Sequence, residues 1–346
     1  MPAPSHSTRQ VLAAALMLGS AAAGASDAGL AYVSNQHGAV SVIDLGTMTV
    51  KANWDIGAQG PRGIGVSADG RWLVTANQVD RNISVIDTAS GKVARQVPIG
   101  TNPEFVRVAG DIAYVTYEPG AKTGGAPAAA GGGDEDEVPG HVAIVDLREG
   151  KVLQDITGKP ETEGVEFSRD GKWMILSNES DNSLSVHERA SGKLLRTVSV
   201  AQYGQRPRGI KASPDGRHYV TTLEVSSKLL VLDDAFKVER ELSTGKAPYG
   251  VAFDPEGKRV FVASNKDKLL QVFDASSWEK IKDIPTAERC WHFSFTPDAR
   301  RILLACGKSD EVLVIDAARL EVTGRIGGFR MPWGIVTYPH SAGSID

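Results

Sequence analysis

The side chains in this 346-residue chain best suited to redox or ligand chemistry are Cys290, Trp291, His292, Cys306, Trp333 and His37. Thiolate and imidazole suit a soft metal or a haem iron. Two tryptophans side by side would stack on a flat quinone or haem. The same cysteines could instead be bridged or stay as free thiols. Nucleophilic catalysis has no matching signature, since no Gly-x-Ser-x-Gly elbow, phosphate loop or His-Glu-x-x-His pair occurs.

A repeat decides whether these residues meet. Pro61-Arg-Gly-Ile-Gly-Val, an Asp69-Gly70 turn, Trp72-Leu-Val-Thr-Ala-Asn77 and Ile83-Ser-Val-Ile-Asp87 form a unit that returns at Pro207 and Pro248. The period is about 42 residues, the mark of stacked units that share a core. Each unit reads as four strands, A to D, with an Asp-Gly hairpin between A and B. Strand C ends in Asp44, Asp87, Asp146, Asp233, Asp274 or Asp316, with His187 read as the fourth unit's replacement. The first unit starts at strand B (Ala31–Asn35), and the last segment, Met331–Thr337, is a lone strand A. Joined, they complete a blade and remove two sheet edges. The expected fold is all-β: one seven-bladed β-propeller of four-stranded blades over residues 26–346, closed by the C-terminal strand.

In such blades the D–A and B–C connections share one face of the ring. The residue entering each strand A then rings the mouth of the axis: Arg62, Glu104, Glu163, Arg208, Tyr249, Trp291 and Trp333. A second ring follows strand B: Gln36, Gln78, Glu118, Glu179, Glu224 and Lys266. These columns diverge between units while the turn columns repeat, as a site grafted on a scaffold would. His37, His141 and His292 fall on this face, whereas His187, His218 and His340 fall on the turn face as structural histidines. Strand A of the seventh unit replaces the usual Pro-x-Gly with Cys290-Trp-His292. Aligned on its siblings, Cys290 lies nearly opposite Cys306, which suits a cross-strand disulfide; free thiols and a metal contact are the alternatives.

Residues 1–25 read as a secretory leader, with Arg9, an apolar stretch from Val11 to Leu18 and Ala23-Gly-Ala25. This places the protein in the periplasm. A net charge of −4 without a basic run argues against nucleic acid, and no later segment is apolar enough to span a membrane. Between strands B and C of the third unit, residues 119–140 insert a Gly/Ala-rich run and Asp134-Glu-Asp-Glu137, expected as a disordered loop.

Val74-Thr-Ala-Asn77 and Ala31-Tyr-Val-Ser-Asn35, each leading to Ser-Val-Ile-Asp, resemble the Tyr-Val-Thr-Asn β-propeller repeat family across residues 30–338. Pro332-Trp-Gly-Ile-Val-Thr-Tyr-Pro339 and the leader look like a narrower group, the periplasmic propellers associated with PQQ-dependent alcohol catabolism. That resemblance implies a non-catalytic accessory that binds a small redox cofactor such as PQQ, or a protein such as a quinoprotein dehydrogenase or c-type cytochrome. A more distant similarity to the haem propeller of nitrite reductase implies haem or quinone handling, with His292 and His37 as axial candidates. A lactonase-like hydrolase is a third expectation, its divalent ion held by Asn35, Asn77, Asn178, Asn265, Glu179 and Glu224.

Overall fold

The computed structural model describes Met1 and residues 29–119 and 138–346. The leader and the acidic tip Asp134–Glu137 lie outside the described residues. Seven antiparallel sheets follow one another around an axis. Their inner strands are Pro332–Tyr338, Pro61–Val66, Val106–Ala109, Thr162–Phe167, Pro207–Ala212, Pro248–Phe253 and Cys290–Phe295, for blades 1 to 7.

Blade 1 is composite. Pro332–Tyr338 pairs antiparallel with Leu30–Asn35, with Leu30 opposite Tyr338 and Val33 opposite Ile335. The ring therefore closes without an open edge at its inner seam. Apolar residues at alternate positions on both faces of the middle strands fill the spaces between blades. One such cluster joins Leu45 and Ile43 of blade 1 to Leu303 and Val314 of blade 7.

The glycine of the Pro-x-Gly entry has a steric cause. A methyl group on Gly63, Gly164, Gly209, Gly250 or Gly334 would stand 2.5–2.9 Å from the main-chain oxygen of the next blade's mouth residue. Only hydrogen fits where adjacent inner strands converge on the axis. Blades 3 and 7 depart from this column, with Phe105 and His292 in the equivalent places.

Two sequence expectations are corrected. Trp72 pairs with Asp87 and Trp173 with Glu188, so Glu188, not His187, takes the place of the repeat aspartate. His187 is buried within the blade, one residue earlier. The chain after Tyr338 also turns back into the bore, where Ala342–Gly343 pairs with Phe295 and Ser294 as a fifth strand of blade 7.

Candidate functional site at the mouth of the bore

Six of the seven inner strands shift register near their first residues, between Pro61 and Ile64 in blade 2 for example. The bulge turns the second residue of the strand towards the axis. Ser and Thr hydroxyls fix this tier from blade to blade. Thr222 Oγ1 accepts the Gly209 N–H at 3.0 Å and donates to Tyr249 O at 2.9 Å; Ser34 and Ser177 do the same for Arg62 and Arg208.

The ring predicted from sequence forms one connected network over most of its circumference. Arg62 pairs with Glu104 at 2.8 Å. Arg208 reaches Glu104 at 3.5 Å, Glu163 at 3.4 Å and Glu224 at 3.2 Å, and also pairs with Glu179. Its guanidinium carbon lies 4.3 Å from the Tyr249 ring centroid, and it donates to the Tyr249 hydroxyl. Arg206 binds Glu161 at 3.1 Å and also holds Glu179.

Carboxylates outnumber cations here. Glu104, Glu118, Glu161, Glu163, Glu179 and Glu224 face Arg62, Arg206 and Arg208. Burial and mutual repulsion push Glu118 up to about 8, and burial pushes Glu179 up to about 7. Burial holds Glu163 well above the ordinary range too, against the pull of Arg208. Glu104, close to both arginines, is held below it.

Beside this network stands an aromatic group. The His292 ring centroid is 4.3 Å from Trp333, 5.2 Å from Tyr249 and 6.2 Å from Phe105. His292 Nδ1 meets Ser344 Oγ at 2.9 Å, while Nε2 is buried without a partner among the described residues. Ser344 Oγ also accepts the Phe293 N–H at 3.0 Å and lies 3.3 Å from Phe293 O. With the Ser344 hydroxyl donating to Phe293 O, the imidazole proton is assigned to Nδ1 and the Nε2 lone pair is left free; with the hydroxyl donating to Nδ1, the proton moves to Nε2. Burial, with Arg208 and Lys211 nearby, holds His292 well below the usual histidine value, so the ring is neutral.

Trp291 is buried in one apolar cluster with Phe105, Tyr249 and Trp333, its ring also packed against Gly307, with Arg289 6.0 Å from its centroid. His37 is exposed on the loop after Leu30–Asn35, and its main-chain N–H meets Arg330 O. The pairing of His37 with His292 is corrected: His37 is exposed and His292 buried, and no contact among the described residues joins them. Cys290 and Cys306 are bonded directly across the inner two strands of blade 7.

Of the expected oxygen ligands, Glu179 and Glu224 lie in the mouth network, and three of the asparagines do not join them. Asn35, Asn77 and Asn178 donate to Ser41, Ser84 and Ser185 inside their own blades, at 3.0, 2.9 and 3.2 Å. At the end of strand B their amides point across the sheet and tie strand C, so they face away from the bore.

Sequence reasoning missed a second tier three residues deeper. Arg107 pairs with Glu166 at 2.7 Å, and Lys211 lies 3.6 Å from Glu166 and donates to the Asp346 main-chain oxygen. The spacing Glu104/Arg107, Glu163/Glu166 and Arg208/Lys211 was the available signal. Burial and Arg107 bring Lys211 down to about 7. Residues 341–346 sit directly below His292 and close the bore from the turn face.

Ring, bore and mouth define a seven-bladed β-propeller with a polar and aromatic opening. Two family models match parts of the chain: YNCE-like beta-propeller over residues 14–113, and Lactonase, 7-bladed beta-propeller, over 143–235. Dihydro-heme d1 dehydrogenase of Pseudomonas aeruginosa is 24% identical over 311 residues, covering 75% of this chain and 61% of that protein. This chain thus spans about three-fifths of that relative. Among solved structures, dihydro-heme d1 dehydrogenase NirN in complex with DHE superposes with TM-score 0.66 at 18% identity, covering 90% of this chain and 75% of that one. Kuenenia stuttgartiensis hydrazine synthase gives 0.71 at 18% identity, over 83% of this chain and 92% of that one. A 6-phosphogluconolactonase-like protein of Bacteroides uniformis gives 0.71 at 17%, over 89% and 99%. These likenesses establish the fold.

Proposed function

We propose that this chain is an exported propeller that handles a haem-type tetrapyrrole at the insert-bearing mouth of its bore, with His292 as the residue that would hold it. The observation carrying this reading is the buried, unpartnered Nε2 of a neutral imidazole set among Trp333, Tyr249 and Phe105. With the proton on Nδ1, a lone pair without a donor costs free energy unless something occupies it. Arg62 Nε is likewise buried and unpartnered, a donor suited to an acidic substituent. The donor set therefore fits the group. Likeness to dihydro-heme d1 dehydrogenase supports the same reading.

When bound, the tetrapyrrole would supply its own redox chemistry. The chain's part is to position and to shield. Ser344 orients the imidazole, Trp333 and Phe105 exclude water, and the Arg208–Tyr249 contact fixes the wall opposite.

The surplus of glutamates favours a second reading: a basic protein surface, such as that of a c-type cytochrome, docks over the mouth in an accessory role beside a quinoprotein dehydrogenase. Titration with ferric haem at neutral pH separates the two. The first reading expects a saturable visible band weakened roughly tenfold or more in His292→Ala, with far-ultraviolet circular dichroism unchanged. No band, or one indifferent to His292→Ala, overturns it. The second expects cytochrome binding that weakens with salt and with Glu161→Gln/Glu224→Gln.

A further inference from the structure

A cleft remote from the bore opens between blades 3 and 4 on the turn face. It has a volume of about 660 Å3 and is lined by Tyr114, Ile144, Leu153, Trp173, Leu195 and Arg189, among others. The C–D turns of blades 2 and 4 lack the bulky apolar residue of their siblings; in blade 2 the Trp54 ring packs over Gly91, and in blade 4 no such ring covers Gly192. The C–D turns of blades 1, 3, 5, 6 and 7 each bury an apolar side chain against the preceding blade: Leu45, Leu147, Phe236, Trp278 and Leu320. In blade 4 the turn is Arg189-Ala-Ser-Gly192, and no bulky apolar residue fills the gap.

Arg189 stands in that gap in a fixed pose. Its guanidinium carbon lies 4.1 Å from the Phe167 ring centroid and 5.1 Å from that of Tyr114, and its Nε donates to the Tyr114 hydroxyl at 2.9 Å. No hydrogen bond or ion pair among the described residues engages its two terminal nitrogens. The charged neighbours are otherwise occupied: Lys172 pairs with Asp170 at 3.1 Å, and Glu188 accepts from Ser191. The edge strands Lys151–Pro160 and Leu194–Ser199 expose Leu153 and Leu195 in the cleft, and Val152 and Leu194 beside them in sequence, by 38–53%. These are four of the eight bulky aliphatics, Met1 aside, that are exposed among the described residues. Such clustering of apolar surface marks a binding site.

We propose that this cleft binds a small amphipathic carboxylate, its apolar body against Leu153, Trp173 and Leu195 and its carboxylate on the free edge of Arg189. A stacked, pre-oriented guanidinium is suited to a carboxylate through paired N–H donors. The apolar lining discriminates against strongly hydrated anions.

Calorimetric titration of the full chain with 2-naphthoate, its neutral analogue 2-naphthalenemethanol and inorganic phosphate tests this. Naphthoate binds, and the other two bind at least roughly tenfold more weakly, about 1.4 kcal/mol. Arg189→Leu, which restores the sibling side chain, abolishes naphthoate binding without lowering the melting temperature. Leu153→Glu weakens binding with Arg189 intact, and so serves if the first variant is unstable. Absence of naphthoate binding, equal binding of the alcohol or of phosphate, or indifference to both substitutions overturns the proposal.

Discussion

His292 Nδ1 lies 2.9 Å from the hydroxyl of Ser344, 52 residues further along the chain. This contact joins the inner strand of blade 7 to the segment that climbs the bore from the opposite face. The mouth and the closing segment are therefore one structure, and a change in either is felt by the other.

Ser344→Ala leaves His292 Nδ1 and the Phe293 N–H without their shared partner. A buried group so orphaned costs about 1–3 kcal/mol. Urea unfolding should show that loss, and Ser344→Thr should recover part of it.

Deleting residues 341–346 removes the cover beneath His292 and the partner of Lys211. Modification by diethyl pyrocarbonate, read by mass spectrometry, should be faster at His292 in the truncated chain than in the full one. Equal rates would mean that the segment does not shield the imidazole.

The raised Glu118 sets a pH dependence of unusual sign. Its folded-state value of about 8 exceeds the ordinary 4.5, so the native protein keeps a proton that the unfolded chain gives up. That contribution is complete below the ordinary value and is lost as pH rises towards 8. Glu118→Gln should flatten the decline in unfolding free energy across that window and stabilise the protein at its alkaline end.

The bond between Cys290 and Cys306 closes a loop with a sequence separation of 16. For a loop of that length, chain entropy in the unfolded state is worth about 3 kcal/mol. Cys290→Ala/Cys306→Ala should lose up to that amount in guanidinium unfolding and keep the ring.

Gly209→Ala would bring a methyl to 2.5 Å of Tyr249 O. The obstruction is main chain, so the blades must part. A cost of about 1–3 kcal/mol is expected, visible as a lower melting temperature, with the Arg208 network loosened.

Much of this was legible in the amino-acid order because the repeat fixes both register and direction. Aligning Arg62 with Glu104, Arg208 and Tyr249 was enough to place them on one ring, and Cys290 opposite Cys306. His187 was misplaced by one position because alignment looked for an aspartate and passed over Glu188. His37 misled because loop length does not give loop direction. The deeper tier of Arg107, Glu166 and Lys211 escaped because it depends on the strand bulge, which breaks simple alternation. The return of residues 341–346 into the bore has no periodic signal at all.

The seam in blade 1 joins Ser34 to Gly334, positions 300 residues apart. No circle can exist until Pro332–Tyr338 has left the ribosome. Before then Leu30–Asn35 lacks its inner neighbour, and the nascent chain is an open ribbon rather than a finished disc.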